Sequence, residues 1–178
     1  VPGLDHEKYM TTAVGTFPAA IEGAHEGRAA ILGFPEGWEV TPAGLHALAH
    51  LFRAVLPAVL GAGTDDLDVV DLTWAGEPAI ALVDLHPGGG GFAEAITLDA
   101  LRSLATLSLA VVRGCSCRDP GGCPNCVRGP DCRSAKSGGE RAPSRREAEA
   151  LLCDLLDSKL HQAGDRVEYG PGAGSRVA

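Results

Sequence analysis

Five of the chain's six cysteines fall within "CSCRDPGGCPNCVRGPDC", residues 115–132. Their spacing, C-x-C-x5-C-x2-C-x5-C, is that of metal ligands. Zinc takes four soft or borderline donors in a tetrahedron, with Zn–S bonds of about 2.3 Å. The C-x-x-C pair, Cys123 and Cys126, supplies two donors from one tight turn. Gly121 and Gly122 permit that turn and Pro124 stiffens it. The residues around the cysteines are mainly Arg, Gly, Pro and Asp, with Val127 the apolar exception. A loop of that composition has no core of its own, so a structural metal is its natural organiser. Disulfides are disfavoured, because nothing points to export and the cluster is too dense for unstrained bridges. A thioredoxin-type pair would lack the three extra cysteines. Cys115, Cys117, Cys123, Cys126 and Cys132 are five candidates for four positions. The near-symmetric 5-2-5 spacing favours Cys117, Cys123, Cys126 and Cys132, and Cys115 can replace Cys117 or Cys132. Cys153, inside a helical stretch, reads as a packed thiol.

Two further stretches carry residues capable of chemistry. "HALAH" sets His46 and His50 one helical turn apart on a common face. The zinc-protease pattern H-E-x-x-H has its general base where Ala47 stands here, so the pair reads as histidines packed or hydrogen-bonded near the core. "VDLHPGGGG" runs from a strand into glycines and then a helix, the outline of a phosphate cradle. It lacks the G-K-[ST] of a Walker A loop and the G-x-G-x-x-G fingerprint, so an ATP site is not expected. The glycines read as a structural loop in which backbones approach closely. Asp84, at the strand end, is placed to accept the loop's N–H groups.

The formal net charge is −8, which argues against a generally basic nucleic-acid binder. Between Arg113 and Arg146, however, eight basic residues stand against three acids. A basic island on an acidic body fits a local anionic contact, with Arg118, Arg128 and Arg133 the candidates.

These residues need a scaffold, and 178 residues fit one domain able to bury a core. Aromatics are only 4%, so that core must be Leu, Val, Ile and Ala. Residues 7–17 read as a strand, 18–40 as a loop broken by Gly and Pro, and 64–74 as a strand, with a second strand inside 76–91 around the apolar run Ile80–Val83. Residues 41–61 form the clearest helix, with Thr41 as N-cap, Pro42 at its first position and Pro57 expected to end or kink it. Residues 92–114 have helical spacing through Leu98, Leu101, Leu104, Leu107 and Val111. Ser144 caps a last helix, 145–162, with Leu151, Leu152, Leu155 and Leu156 inward. The Gly-rich 163–178 reads as a disordered tail. The expected fold is α+β: a small mixed sheet with packed helices and a four-cysteine zinc loop at 114–133, all within one domain of residues 1–162. No basic, apolar leader and no run of about 18 apolar residues appears, so a cytoplasmic protein without a membrane span is expected. The initial Val suggests a piece of a longer chain.

In order and distance, "TTAV", "GLHALAHLF", "ALVDLHPGGGGFAEA" and "CSCRDPGGCPNC…PDC" resemble the zinc-binding C-terminal domain of MrfA-like DNA repair helicases, which are superfamily-2 ATP-dependent translocases. A helicase-associated phage-defence protein carries a similar domain. The resemblance covers roughly residues 8–158. The family pattern maps onto His46, His50, Asp84, Pro87, Gly88, Gly89, Gly91 and the five clustered cysteines. Relatives usually carry a Gly/Asn-rich turn after the last cysteine, where this chain has "RSAKSGGERAPS". The resemblance implies structural Zn2+, with ATP used only by motor domains elsewhere. It implies single-stranded or partly duplex DNA and those motor domains as partners, and a non-catalytic module that guides or clamps the strand. A zinc-ribbon scaffold, as in a phage-defence complex, is the alternative. A free-standing metalloenzyme is a third, which lacks a base beside the cysteines.

Overall fold

The computed structural model describes residues 2–7, 10–16, 27–34, 36–129, 132, 142–157 and 167–168. The strands are β1 (Pro2–Glu7), β2 (Met10–Thr16), β3 (Arg28–Gly33), β4 (Leu67–Trp74), β5 (Glu77–Asp84) and β6 (Val167–Glu168). The helices are α1 (Pro42–Leu60), α2 (Phe92–Ala95), α3 (Leu98–Gly114) and α4 (Arg145–Asp157). β1 and β2 pair in a two-stranded sheet, and the other four strands form a second sheet in the order β4-β5-β3-β6. The α+β class with a small sheet and packed helices holds. Every pairing is antiparallel rather than mixed.

Local chemistry accounts for the main elements. The Thr41 hydroxyl accepts the Gly44 N–H at 3.0 Å and Pro42 opens α1. Pro57 lies inside α1 and does not end it. The helix runs one turn further, to Gly61, whose left-handed φ of 66° lets its N–H reach the Pro57 carbonyl. β4 and β5 form a hairpin around Ala75 (φ 51°) and Gly76 (φ 91°), the two positive φ angles of a tight hairpin turn. β5 lies between β3 and β4 in the sheet and is buried on both faces from Ala79 through Leu82.

Three expectations shift. β3 lies within the stretch read as a loop. Its Arg-Ala-Ala-Ile-Leu-Gly sequence has little intrinsic strand preference, and pairing with β5 supplies the reason to extend. The helix expected over 92–114 breaks at Thr97, which caps α3 by accepting the Ala100 N–H at 3.2 Å. The buried face of α3 is Leu101, Leu104, Ala105, Ser108 and Val112, and Leu107 points out, 45% exposed. Of the stretch read as a tail, Val167 and Glu168 pair with β3, and the rest lies outside the described residues.

The core sits where α1 meets the sheet, α3 and α4. Leu48, Leu51, Phe52 and Leu56 of α1 are fully buried with Ile80, Leu82, Leu104, Val112, Leu151, Leu152 and Leu155. α1 is long and apolar enough in composition to cross a membrane, but here it is the central helix of this core. α4 docks its first turn on the start of α1. Ser144 N–H donates to the Ala43 carbonyl at 3.2 Å, and a Cβ on Gly44 would lie 2.9 Å from that of Glu147.

Candidate metal centre

The cysteine loop leaves the C-terminus of α3 and folds back over the core. Asp119 shapes its first bend: its carboxylate accepts the Gly121 N–H at 2.9 Å and its carbonyl the Gly122 N–H at 2.8 Å. Gly122 has a φ of 73°, and a Cβ there would lie 2.1 Å from Cγ2 of Val127. The knuckle then closes: Cys126 N–H and Arg128 N–H both reach the Cys123 carbonyl, at 3.0 and 3.2 Å, and Cys123 N–H points at Cys126 Sγ, 3.1 Å away. Val127 is fully buried and joins the core together with Cys126, and Cys132 is buried as well. The loop is therefore seated on the domain through an apolar anchor as well as through its ligands.

The sulfurs of Cys115, Cys117, Cys123 and Cys126 lie within 4.8 Å of one another. Three edges are given by Cys115–Cys123 at 3.5 Å, Cys117–Cys126 at 3.6 Å and Cys123–Cys126 at 3.7 Å. Zinc bonds of about 2.3 Å in a tetrahedron require S···S edges of about 3.8 Å. The four thiols thus fit zinc. They also compete for protons. A backbone N–H from Cys117 and the thiol of Cys123 bring Cys115 down to about 7, while burial and the neighbouring thiols push Cys117 up to about 12. Four thiolates at this spacing need a cation to neutralise them.

Arg145, in the first turn of α4, braces the loop from behind. Its Nη2 donates to the carbonyls of Val112 at 2.7 Å and Cys115 at 3.3 Å; its Nη1 meets the Cys117 carbonyl and lies 3.4 Å from that residue's sulfur. Its own N–H donates to the Pro120 carbonyl at 2.9 Å. From sequence this residue is one more charge in the basic island. Only its position at the start of a capped helix hinted at a fixed side chain.

The glycine loop lies at the far end of β5. Fully buried Asp84 accepts N–H groups from His86 at 3.0 Å, Gly90 at 2.7 Å and Phe92 at 3.0 Å. Burial pushes its carboxyl up, but these donors more than offset that and hold it below the ordinary value. Pro87 and Gly88 make the turn in which Gly89 N–H reaches the His86 carbonyl at 2.8 Å. Gly88, Gly89 and Gly91 all have positive φ, and a Cβ on Gly89 would lie 2.9 Å from Cδ of Arg28. The loop's donors turn inward to Asp84, and Arg28, ion-paired with Glu94 at 2.7 Å, lies over it.

Residues 48–127 match the family model described as the MrfA Zn-binding domain. Over that stretch the chain is similar to the zinc-binding domain of MrfA. The fold agrees: a solved structure described as DUF1998 helicase MrfA bound to DNA matches with a TM-score of 0.57 at 21% identity. That match covers 88% of this chain and 20% of the helicase, so the chain spans about a fifth of its length. No curated protein matches.

The choice among five cysteines falls on Cys115, not Cys132, so the symmetric 5-2-5 set is not the one assembled. Cys132 is held elsewhere. Its sulfur lies 3.4 Å from Nε2 of His46, whose Nε2 is 3.2 Å from Nε2 of His50. His46 turns its Nδ1 to the Asp71 carboxylate of β4 at 3.1 Å, which raises its pKa, while burial pushes His50 down to about 4. The three candidate arginines separate. Arg118 is exposed. Arg128 is committed to the loop, bonding the Gly121 carbonyl and Asp119 at 3.2 Å each. Arg133 lies outside the described residues. Arg113, in the same island, pairs with Glu149 at 2.9 Å.

Proposed function

We propose that the chain is the non-catalytic, zinc-organised module of an ATP-dependent DNA helicase acting in DNA repair. It guides or clamps single-stranded DNA beside motor domains that use the ATP. The observation that carries this reading is the four-sulfur tetrahedron inside the MrfA Zn-binding match. Four protein thiolates complete zinc's coordination, which is the arrangement of a structural rather than a catalytic site. The metal then shapes a surface and does no chemistry. Its thiols call for a reducing compartment, as in the cytoplasm. The similar helicase is described as bound to DNA, which supports the choice of partner.

Among the described residues the exposed members of the basic island are Arg113, Arg118 and Arg146, and Arg113 is paired with Glu149. Titrating the chain with labelled single strands at low and moderate salt tests the reading. Binding should weaken with salt, and Arg118→Glu should weaken it several-fold and flatten the salt slope without lowering the melting temperature. No binding by the chain, together with normal unwinding by a full-length helicase carrying Arg118→Glu, would sink it. A second reading, a docking module for another subunit, is favoured by the net charge of −8 and by the internal use of Arg113, Arg128 and Arg145. It is distinguished by a pull-down that survives nuclease treatment.

A further inference from the structure

We propose that His46, His50 and Cys132 form a second zinc site, separate from the four-cysteine centre. Nε2 of His46, Nε2 of His50 and Sγ of Cys132 lie within 4.8 Å of one another. Zinc bonds of about 2.0–2.1 Å to nitrogen and about 2.3 Å to sulfur give tetrahedral edges of about 3.4 Å between two nitrogens and about 3.6 Å between nitrogen and sulfur. The observed 3.2 and 3.4 Å edges fit both.

Hydrogen bonding alone does not account for the arrangement. His46 gives its Nδ1 to the Asp71 carboxylate, so that nitrogen carries the proton and Nε2 keeps a single lone pair. Two groups, the His50 ring nitrogen and the Cys132 thiol, converge on that one lone pair. If His46 were doubly protonated, its single Nε2–H would face the same two acceptors. A cation at the centre of the triangle satisfies all three atoms at once. The carboxylate behind His46 is the partner that a zinc-bound histidine ordinarily has, fixing its tautomer and raising its basicity.

The backbone is also shaped for the site. His46 and His50 are one turn apart on α1. A Cβ on Gly129 would lie 2.6 Å from Nδ1 of His50, so only glycine lets the chain pass there, and the Cys132 N–H turns back to the Gly129 carbonyl at 3.1 Å. A metal here would clamp the far end of the cysteine loop to the core helix and, through Asp71, to β4. This inference does not depend on the DNA reading.

Metal analysis of the purified 178-residue chain, with native mass spectrometry, tests it. Two zinc ions per chain are expected, falling to one in His46→Gln/His50→Gln and in Cys132→Ser, with helix content checked by circular dichroism. Cobalt substitution should show a mixed nitrogen–sulfur site whose absorption bands vanish in those variants while the thiolate-rich bands remain. One zinc in the unmodified chain would overturn the proposal, and so would two zinc ions retained in the histidine double variant. The measurement on the unmodified chain stands even if a variant fails to fold.

Discussion

The guanidinium of Arg145 lies against Cys117, with Nη1 3.4 Å from the sulfur and bonded to the same residue's carbonyl. One side chain from α4 thus joins the end of α3, the start of the cysteine loop and a metal ligand. Arg145→Ala should weaken zinc binding by about 10–100-fold, the range for lost support behind a metal ligand. Arg145→Lys should recover little of this, because an ammonium cannot reproduce the planar fork that spans several carbonyls. Competition with a chromophoric chelator reads both.

Chelation should open the loop from Cys115 to Cys132 while leaving most far-UV helix signal, since α1, α3 and α4 share a core outside the loop. Val127 and Cys126 are buried in that core, so the loss will not be confined to the loop. The melting temperature should fall, by about 2–4 °C for each kcal/mol of zinc stabilisation removed. Collapse of the helix signal at room temperature would show that the domain cannot stand without its metal.

Gly122→Ala introduces a methyl group 2.1 Å from Val127 at a φ of 73°. Both the backbone strain and the displaced anchor act on the knuckle, for a cost of about 1–3 kcal/mol. Gly121→Ala, whose nearest neighbour is the end of the Arg128 side chain, should cost less. Thermal melts of the zinc-loaded variants compare the two.

Asp84 is held below its ordinary pKa by three backbone donors despite its burial. Its stabilisation is therefore complete above the unfolded value, about 3.9, and is lost as pH falls through the folded value. Asp84→Asn should cost about 1–3 kcal/mol at neutral pH, because an amide cannot accept at both ends. It should also flatten the acid limb of the stability–pH curve. Urea melts from pH 3 to 7 provide the check.

Helix α1 with its Thr41 cap, the C-x-x-C knuckle and Asp84 as anchor of a glycine loop were legible in the residues. In each case the deciding interactions are local, spanning a few positions. β3 was not legible, because its alanines become a strand only beside β5. Pro57 was expected to end or kink α1, and the helix runs past it to Leu60; the packing of α1 in the core outweighs the one hydrogen bond that a proline removes. The basic island overstated the free charge, since Arg113, Arg128 and Arg145 are engaged by groups that charge counting does not see.

By itself, the sequence determined that the loop carries a zinc-type ligand set, because cysteine type and spacing suit tetrahedral thiolate coordination. Which cysteines share that metal was decided only by the tertiary structure. Spacing left Cys115 and Cys132 interchangeable, since either lies within chain reach of the knuckle. Packing α3 against α4 brings Cys115 to the tetrahedron, with Arg145 behind it. Cys132, whose N–H reaches the Gly129 carbonyl, lies instead beside the two histidines of α1.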